Sequence, residues 1–255
     1  MKRRSMVAFA AIGGLGIIGT GLATPTWAQL PKLDDLGKQL GKLPKGSGAG
    51  SAGGSGDDKT DAAGIKEALA VGTERAVASL GRADGYFGNA AVKILMPSSL
   101  QKVAEVARVA GYQKQVDEFI LSMNRAAEAA APLAANIFGD AIRAMTLDDV
   151  RAILTGGDTA ATDFFRRKTS DKLYAAFKPV VSKKVDEVGA TKAYKSMIGQ
   201  YDAVPMVSKK SLDLDHYVTE KALAGLFHML GQEEKAIRTN PAARSTELLK
   251  SVFGK

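Results

Sequence analysis

Two groups of polar residues in this sequence have types and spacings that can either bind an anion or anchor a fold. In the first group, Asn124, Arg125 and Glu128 interrupt a strong stripe of apolar residues. Arg125 and Glu128 lie one helical turn apart and can form an ion pair. If that face of the helix is buried, both charges need partners. Arg125 is then either a structural anchor, which is the interpretation we prefer, or a receptor for an anionic ligand.

The second group surrounds a predicted helix break at Asn240-Pro241. Arg238 and Arg244 flank this break, so two guanidinium groups lie near the N-terminus of the helix that follows. Guanidinium groups and the backbone N–H groups of a helix N-terminus both favour phosphate or carboxylate. The same arginines can instead tie the last helix down, and we prefer this structural interpretation. The candidate ligand-binding residues are therefore Asn124, Arg125, Glu128, Arg238, Asn240 and Arg244.

Motifs of known enzymes occur only as fragments. The segment Ser99-Leu-Gln-Lys102 fits the S-x-x-K motif, but the K-T-G partner motif is missing, and Ser99 is better explained as a helix cap. The segment from Gly14 to Gly19 spells G-x-G-x-x-G. A dinucleotide site needs a strand before this motif, and only the basic start of the chain precedes it. We assign no catalytic residue from these motifs.

Metal binding has similarly weak support in the sequence. Asp213, Asp215 and His216, with Glu220 one turn on, form an incomplete ligand set, because neither an EF-hand loop nor an H-E-x-x-H motif is present. His228 lies inside an apolar run, where we expect a hydrogen-bonded core or edge residue. The sequence therefore predicts no metal site and no cofactor.

Composition narrows the possible classes of function. The chain has 255 residues, no cysteine, two histidines and a formal charge of +8. Without cysteine there is no disulfide, thiolate zinc site, iron–sulfur cluster or cysteine nucleophile. The basic residues are spread along the chain instead of forming a block, so nucleic-acid binding is not expected.

The first 28 residues follow the pattern of a secretory signal peptide. A basic Lys-Arg-Arg at positions 2–4 precedes an apolar, glycine-rich run over 7–22, and small residues lead to Ala28. The run is short for a membrane span, and its glycines weaken it as a helix. We predict cleavage after about Ala28 and delivery to the periplasm, by either the general or the twin-arginine route.

Residues 29–60 predict an amphipathic stretch followed by a flexible linker. Five leucines recur between Leu30 and Leu43 at spacings of three or four, which places them on one face of a helix. Residues 46–56 are nearly all glycine and serine, a composition typical of flexible linkers. The stretch 29–45 is either a short helix that contacts a partner or a membrane surface, or an extension whose leucines align by chance.

Residues 61–255 predict a single all-α domain of about eight to ten helices, because apolar residues keep a spacing of three to four over most of this range. The exception is residues 81–97, in which 92–96 can supply at most one short strand. Asp61 is expected to cap a helix over 63–80. Ser98 or Ser99 is expected to cap another helix, which runs to Ala110 and stops at Gly111.

Further boundaries follow from prolines and caps. Pro132 is expected to kink one helix or start another, and Thr146 to cap a helix with two aspartates in its first turn. A long helix over about 159–177 is expected to break at Lys178-Pro179. The remaining predicted helices lie near 180–188, 191–202 and 214–238, and a final one ends near Phe253.

Several blocks of the sequence resemble the bacterial DUF4197 family, a domain of unknown function. They are GIKEALAVGTERAV over 64–77, SMNRAAEAA over 122–130, FFRRKTSDKLY over 164–174, and YVTEKAL over 217–223 with IRTNPAAR over 237–244. These blocks occur in order, and the resemblance as a whole extends over 61–254. The resemblance implies an exported helical envelope protein of bacteria with two membranes. It implies no activity, because none is assigned to the family.

The leading hypothesis for function is a non-catalytic periplasmic module that binds an unknown envelope protein or a small ligand. One alternative is a periplasmic enzyme of unrecognised type that uses His228 or the carboxylates between residues 213 and 220. Another alternative is a carrier of an apolar ligand, suggested by the many alanines and the eight methionines.

Overall fold

The computed structural model describes residues 55–187 and 213–243. These residues form α1 (Ser55–Gly81), α2 (Ser98–Val109), α3 (Gln113–Ala130), α4 (Ala134–Arg143), α5 (Leu147–Thr155), α6 (Ala160–Glu187) and α7 (Leu214–Thr239). Single 3-10 turns cover Ala131–Leu133 and Pro241–Ala243. The all-α prediction is confirmed, and the described residues contain no strand, including at 92–96. The seven α-helices of the described ranges do not confirm the predicted count of eight to ten.

The first helix begins earlier than the sequence suggested. Asp61 lies inside α1 and is not its N-cap, because α1 starts at Ser55. Residues 57–62 belong to this longer helix. No proline or glycine separates them from the predicted helix, so nothing local stops it from extending towards the N-terminus.

Helix α2 corrects one capping prediction and confirms another. Its N-cap is Pro97, and Ser98 and Ser99 lie inside the helix without a capping hydrogen bond. At the other end Gly111 has a φ of +91°, and the Tyr112 N–H donates to the Ala107 C=O at 2.9 Å. This is the hydrogen-bond pattern of a Schellman motif, for which glycine has the least steric cost. The predicted stop at Gly111 is therefore confirmed.

The break predicted at Lys178-Pro179 is wrong, and so is the separate helix predicted near 180–188. Helix α6 continues through Pro179 to Glu187. The buried side chains of Phe177, Val181 and Val185 lie on both sides of the proline and keep the helix on the core. Pro179 itself is exposed, so the carbonyl that loses its N–H partner can bind water.

The structure also shows the local conformation at two other predicted boundaries, Pro132 and Thr146. Pro132 lies in a 3-10 turn that separates α3 from α4, so it starts a new helix. Thr146 and Asp149 form a complete capping box at the start of α5, as two aspartates after a threonine predicted. The helices predicted near 191–202 and after residue 243 lie outside the described residues.

The core is built around α6, which packs against α3, α4, α5 and α7. Helix α1 packs on α7, α4 and α5. Three buried aromatic rings mark the centre of this core. The ring of Phe138 meets those of Phe165 and Phe227 edge-on, with centroid distances of 4.9 and 6.4 Å. None of the described helices is long and apolar enough to cross a membrane.

Candidate functional site

The predicted polar residue Asn124 is completely buried in α3, where it binds the backbone of Ile94. Its Oδ1 atom accepts a hydrogen bond from the Ile94 N–H at 2.8 Å, and its Nδ2 atom donates to the Ile94 C=O at 2.8 Å. Nδ2 also donates to the Ile120 C=O at 2.8 Å. The side-chain amide therefore pairs with both the N–H and the C=O of Ile94, as the backbone of a neighbouring strand would. This explains how residues 92–96 stay extended without a strand partner.

Glu128 and Arg125 form an ion pair that holds the residues just after α1. The buried Glu128 Oε1 accepts hydrogen bonds from the N–H groups of Tyr86 and Phe87, both at 3.1 Å. Its Oε2 atom lies 2.6 Å from Nη1 of Arg125. Nη2 of Arg125 donates to Oδ1 of Asp84 at 2.8 Å. The hydrogen bond with Glu128 raises the pKa of Arg125, so the guanidinium group stays charged.

Residues 82–97, which we name the turn segment, are thus fixed from below by α3. They are also fixed by α7, since the buried Tyr86 hydroxyl donates to the Ala222 C=O at 2.8 Å. Burial raises the pKa of this phenol far above its usual value, so Tyr86 stays neutral and acts as a donor. Gly225 lies directly under the Tyr86 ring, because a Cβ atom there would be 2.7 Å from Cε1. The turn segment is therefore held at both its backbone and its largest side chain.

The second predicted group centres on an ion pair between Arg238 and Glu234. Nε and Nη2 of Arg238 lie 3.1 and 2.9 Å from Oε1 of Glu234, one turn earlier in α7. Nη2 also donates to the Ile153 C=O at 2.9 Å, near the end of α5. Asn240 is the C-cap of α7 and accepts from the Ala242 N–H at 3.0 Å. Arg244 lies outside the described residues.

Glu234 is central to this second site, although it was not among the residues predicted from the sequence. Its carboxylate accepts hydrogen bonds from the N–H groups of Ala161 and Thr162, both at 2.9 Å, and from the Thr162 hydroxyl at 2.8 Å. A residue of α7 therefore caps the first turn of α6. The available signal was a glutamate one turn before Arg238 on the helix, but the sequence does not show that α6 begins beside it.

The two ion pairs have the same arrangement of hydrogen bonds. In each, a buried glutamate accepts from two consecutive backbone N–H groups and pairs with an arginine one helical turn away. Each site therefore has the donors of an anion receptor, and the protein's own carboxylate occupies it. In the structure Arg125 and Arg238 are anchors of the fold, and binding of an external ligand by these residues stays a prediction.

The residues considered for metal binding have other contacts in the structure. Asp213 caps α7 by accepting from the His216 N–H at 2.9 Å. His216 Nδ1 lies 2.7 Å from the Tyr174 hydroxyl of α6. His228 was expected at the core or at its edge; it is exposed and lies on the solvent side of α7, which excludes the core. Among the described residues, no three His, Cys, Asp or Glu side chains cluster closely enough to hold a metal ion.

One cavity borders the Glu234–Arg238 pair, and an open cleft lies nearby. A mostly apolar cavity of about 30 Å³ lies between α1, α5, α6 and α7 and is bordered by Ile65, Ile153 and Glu234. An open cleft of about 280 Å³ lies between α5 and the start of α6, with Asp149, Asp163 and Arg167 in its lining. Ile153 borders both spaces.

Comparison with known proteins identifies the family. Residues 55–254 match the family model described as "Protein of unknown function (DUF4197)". No curated protein and no solved structure matches the chain. Because the match covers well over half of the sequence, the chain belongs to the DUF4197 family of proteins of unknown function.

Proposed function

We propose that this protein is an exported, non-catalytic helical module that binds a partner in the bacterial envelope. Export is supported by the signal-peptide pattern of residues 1–28. A binding role is supported by the way the described polar residues are used. Asn124, Glu128 and Arg125 serve to fix the turn segment, and Glu234 and Arg238 fix the start of α6.

The proposal depends mainly on the turn segment, which is held in place by hydrogen bonds and exposes the side chain of Leu95. The buried Asn124 and Glu128 and the half-buried Arg125 hold a non-helical stretch, which is an arrangement typical of binding loops on a stable scaffold. Leu95 within it is 60% exposed, while its neighbours Ile94 and Met96 are buried. The Tyr217 hydroxyl donates to the Leu95 C=O at 3.0 Å, so an aromatic side chain lies beside the leucine. A fixed, exposed leucine next to a tyrosine suits contact with another protein.

Export is tested by fractionation and intact-mass measurement of the full chain expressed in a bacterium with two membranes. We expect the protein in the periplasmic fraction with its mass beginning near Gln29. Full-length protein in the cytoplasm, or exported protein that keeps residues 1–28, would contradict the proposal.

Partner binding is tested by placing a photo-crosslinking amino acid at Leu95 and, as a matched control, at Val109. Val109 is 91% exposed at the end of α2 and is equally apolar, but it is not part of the turn segment. We expect one discrete crosslinked product from Leu95 in envelope extracts and none from Val109. Equal products from both positions, or none from Leu95, would refute binding through this segment.

The amphipathic stretch 29–45 is proposed as a second, weaker contact with the membrane surface. Deleting residues 29–54, which end just before α1 begins at Ser55, should reduce co-sedimentation with envelope membranes and leave the melting temperature unchanged. Equal co-sedimentation of the two proteins would show that the leucine spacing is coincidental. The apolar cavity beside Glu234 gives the apolar-carrier alternative no support, because a space of about 30 Å³ is too small for a lipid.

A further inference from the structure

The first turn of α6 and Arg238 of α7 together supply five hydrogen-bond donors to one carboxylate. The donors are the N–H groups of Ala161 and Thr162, the Thr162 hydroxyl, and Nε and Nη2 of Arg238. Each lies 2.8–3.1 Å from an oxygen of Glu234. This carboxylate accepts five hydrogen bonds, and the two from the guanidinium group are charge-assisted, which makes them stronger than bonds between neutral groups.

These donors are held in place by contacts that do not involve Glu234. Nη2 of Arg238 is also fixed by the Ile153 C=O at 2.9 Å. The turn that bears the two N–H groups is closed by the hydrogen bond from Asp163 N–H to the Thr159 C=O at 2.8 Å. Phe164 and Phe165, directly after it, are buried in the core. The donor set should therefore keep its geometry when the glutamate side chain is shortened.

The space for a free ligand is also defined. Changing Glu234 to alanine removes one methylene and the carboxylate, which are the heavy atoms of an acetate ion. The cavity of about 30 Å³ that Glu234 and Arg238 border adds a small margin to this space. This cavity is itself partly open to solvent, which gives a free ligand a route to the site.

We infer that the first turn of α6 and Arg238 form a carboxylate receptor whose resident ligand is the side chain of Glu234, and that the emptied receptor binds free acetate. In the wild-type protein this receptor is occupied by the chain itself. Arg238 is then not available to phosphate or to another external anion, which is the structural alternative of the two that the sequence left open for it.

The test is a thermal melt of the full chain as Glu234→Ala, in sodium acetate and in sodium chloride at equal ionic strength. We expect Glu234→Ala to melt well below wild type in chloride. Acetate should raise its melting temperature saturably, by about 3–6 °C at ten times the dissociation constant. Wild type should melt at the same temperature in both salts.

Three controls define the receptor. Glu234→Gln keeps the size and shape of the side chain and fills the site, so acetate should not stabilise it. Acetamide, which has the shape of acetate without its charge, should not stabilise Glu234→Ala. The double variant with Arg238→Ala should lose the response to acetate.

Several outcomes would overturn the inference. One is an equal effect of acetate on wild type and Glu234→Ala, which would be a general salt effect. Another is a Glu234→Ala protein that folds but shows no saturable response. If Glu234→Ala does not fold in chloride, its recovery of helical circular dichroism at 222 nm is compared in acetate and chloride, and equal recovery would also refute the receptor.

Discussion

Replacing Gly225 with alanine should destabilise the protein, even though alanine is the better helix former. Gly225 lies in α7, directly below the turn segment. A Cβ atom there would lie 2.7 Å from Cε1 of Tyr86 and 3.2 Å from Cβ of Val92. Tyr86 cannot retreat, because its ring is completely buried and its hydroxyl donates to the Ala222 C=O at 2.8 Å.

The expected magnitude follows from two opposing terms. Alanine in place of glycine inside a helix stabilises it by about 1 kcal/mol. Extra volume in a close-packed core costs about 1–3 kcal/mol, and displacing Tyr86 would weaken a buried hydrogen bond worth about 1 kcal/mol. The net loss for Gly225→Ala should be about 1–3 kcal/mol of unfolding free energy.

Gly72 provides a matched control, since it is also buried within a helix, here α1. A Cβ atom at Gly72 would lie 3.6 Å from Cδ1 of Ile237 and 3.7 Å from Cβ of Glu233, which is ordinary contact. Gly72→Ala should therefore gain about 0.5–1 kcal/mol. The same substitution is thus expected to have opposite signs at the two positions.

Urea unfolding followed by circular dichroism at 222 nm measures both variants. The unfolding free energies should differ by about 2–4 kcal/mol, with Gly72→Ala the more stable. A second measurement places Gly225→Ala in a Tyr86→Leu background, where the smaller side chain should remove most of the penalty. If Gly225→Ala is as stable as Gly72→Ala, the close packing of Tyr86 on α7 is refuted.

Three further changes test local interactions by the same unfolding measurement. Asn124→Leu leaves the N–H and C=O of Ile94 without partners and should cost about 1–3 kcal/mol for each group. Thr146→Ala removes the N-cap of α5 and should cost about 1 kcal/mol at neutral pH. Hydrogen bonds from Thr146 lower the pKa of Asp149, so this stabilisation is lost as the pH falls, and the deficit should shrink below about pH 4. Pro179→Ala restores a backbone N–H inside α6 and should stabilise it by about 1–2 kcal/mol.

Each of these changes has an outcome that would contradict its reasoning. Asn124→Leu with wild-type stability would mean that Ile94 does not depend on the side-chain amide. A deficit of Thr146→Ala that is constant from neutral to acidic pH would show that the carboxylate takes no part in the cap. A loss of stability in Pro179→Ala would show that the exposed carbonyl opposite the proline is not a cost to the helix.

Part of the candidate site could be predicted from the sequence. Arg125 and Glu128 were recognisable because charges that interrupt an apolar stripe must find partners, and their ion pair is confirmed at 2.6 Å. The other partners of Glu128 are backbone N–H groups more than forty residues earlier in the chain. Backbone donors have no side-chain signature, so no pattern of residue types could identify them.

The sequence by itself determined the local features of this protein. Helical periodicity, the capping box at Thr146 and the glycine stop at Gly111 each depend on residues within a few positions of one another, so their hydrogen bonds form wherever the rest of the chain lies. Whether the helix continues at Pro179, and which groups Glu234 binds, depend on the tertiary structure. Buried neighbours keep α6 helical through a proline that local rules treat as a break. The carboxylate of Glu234 caps a helix that begins more than seventy residues earlier, because packing of α6 against α7 brings that helix N-terminus beside it.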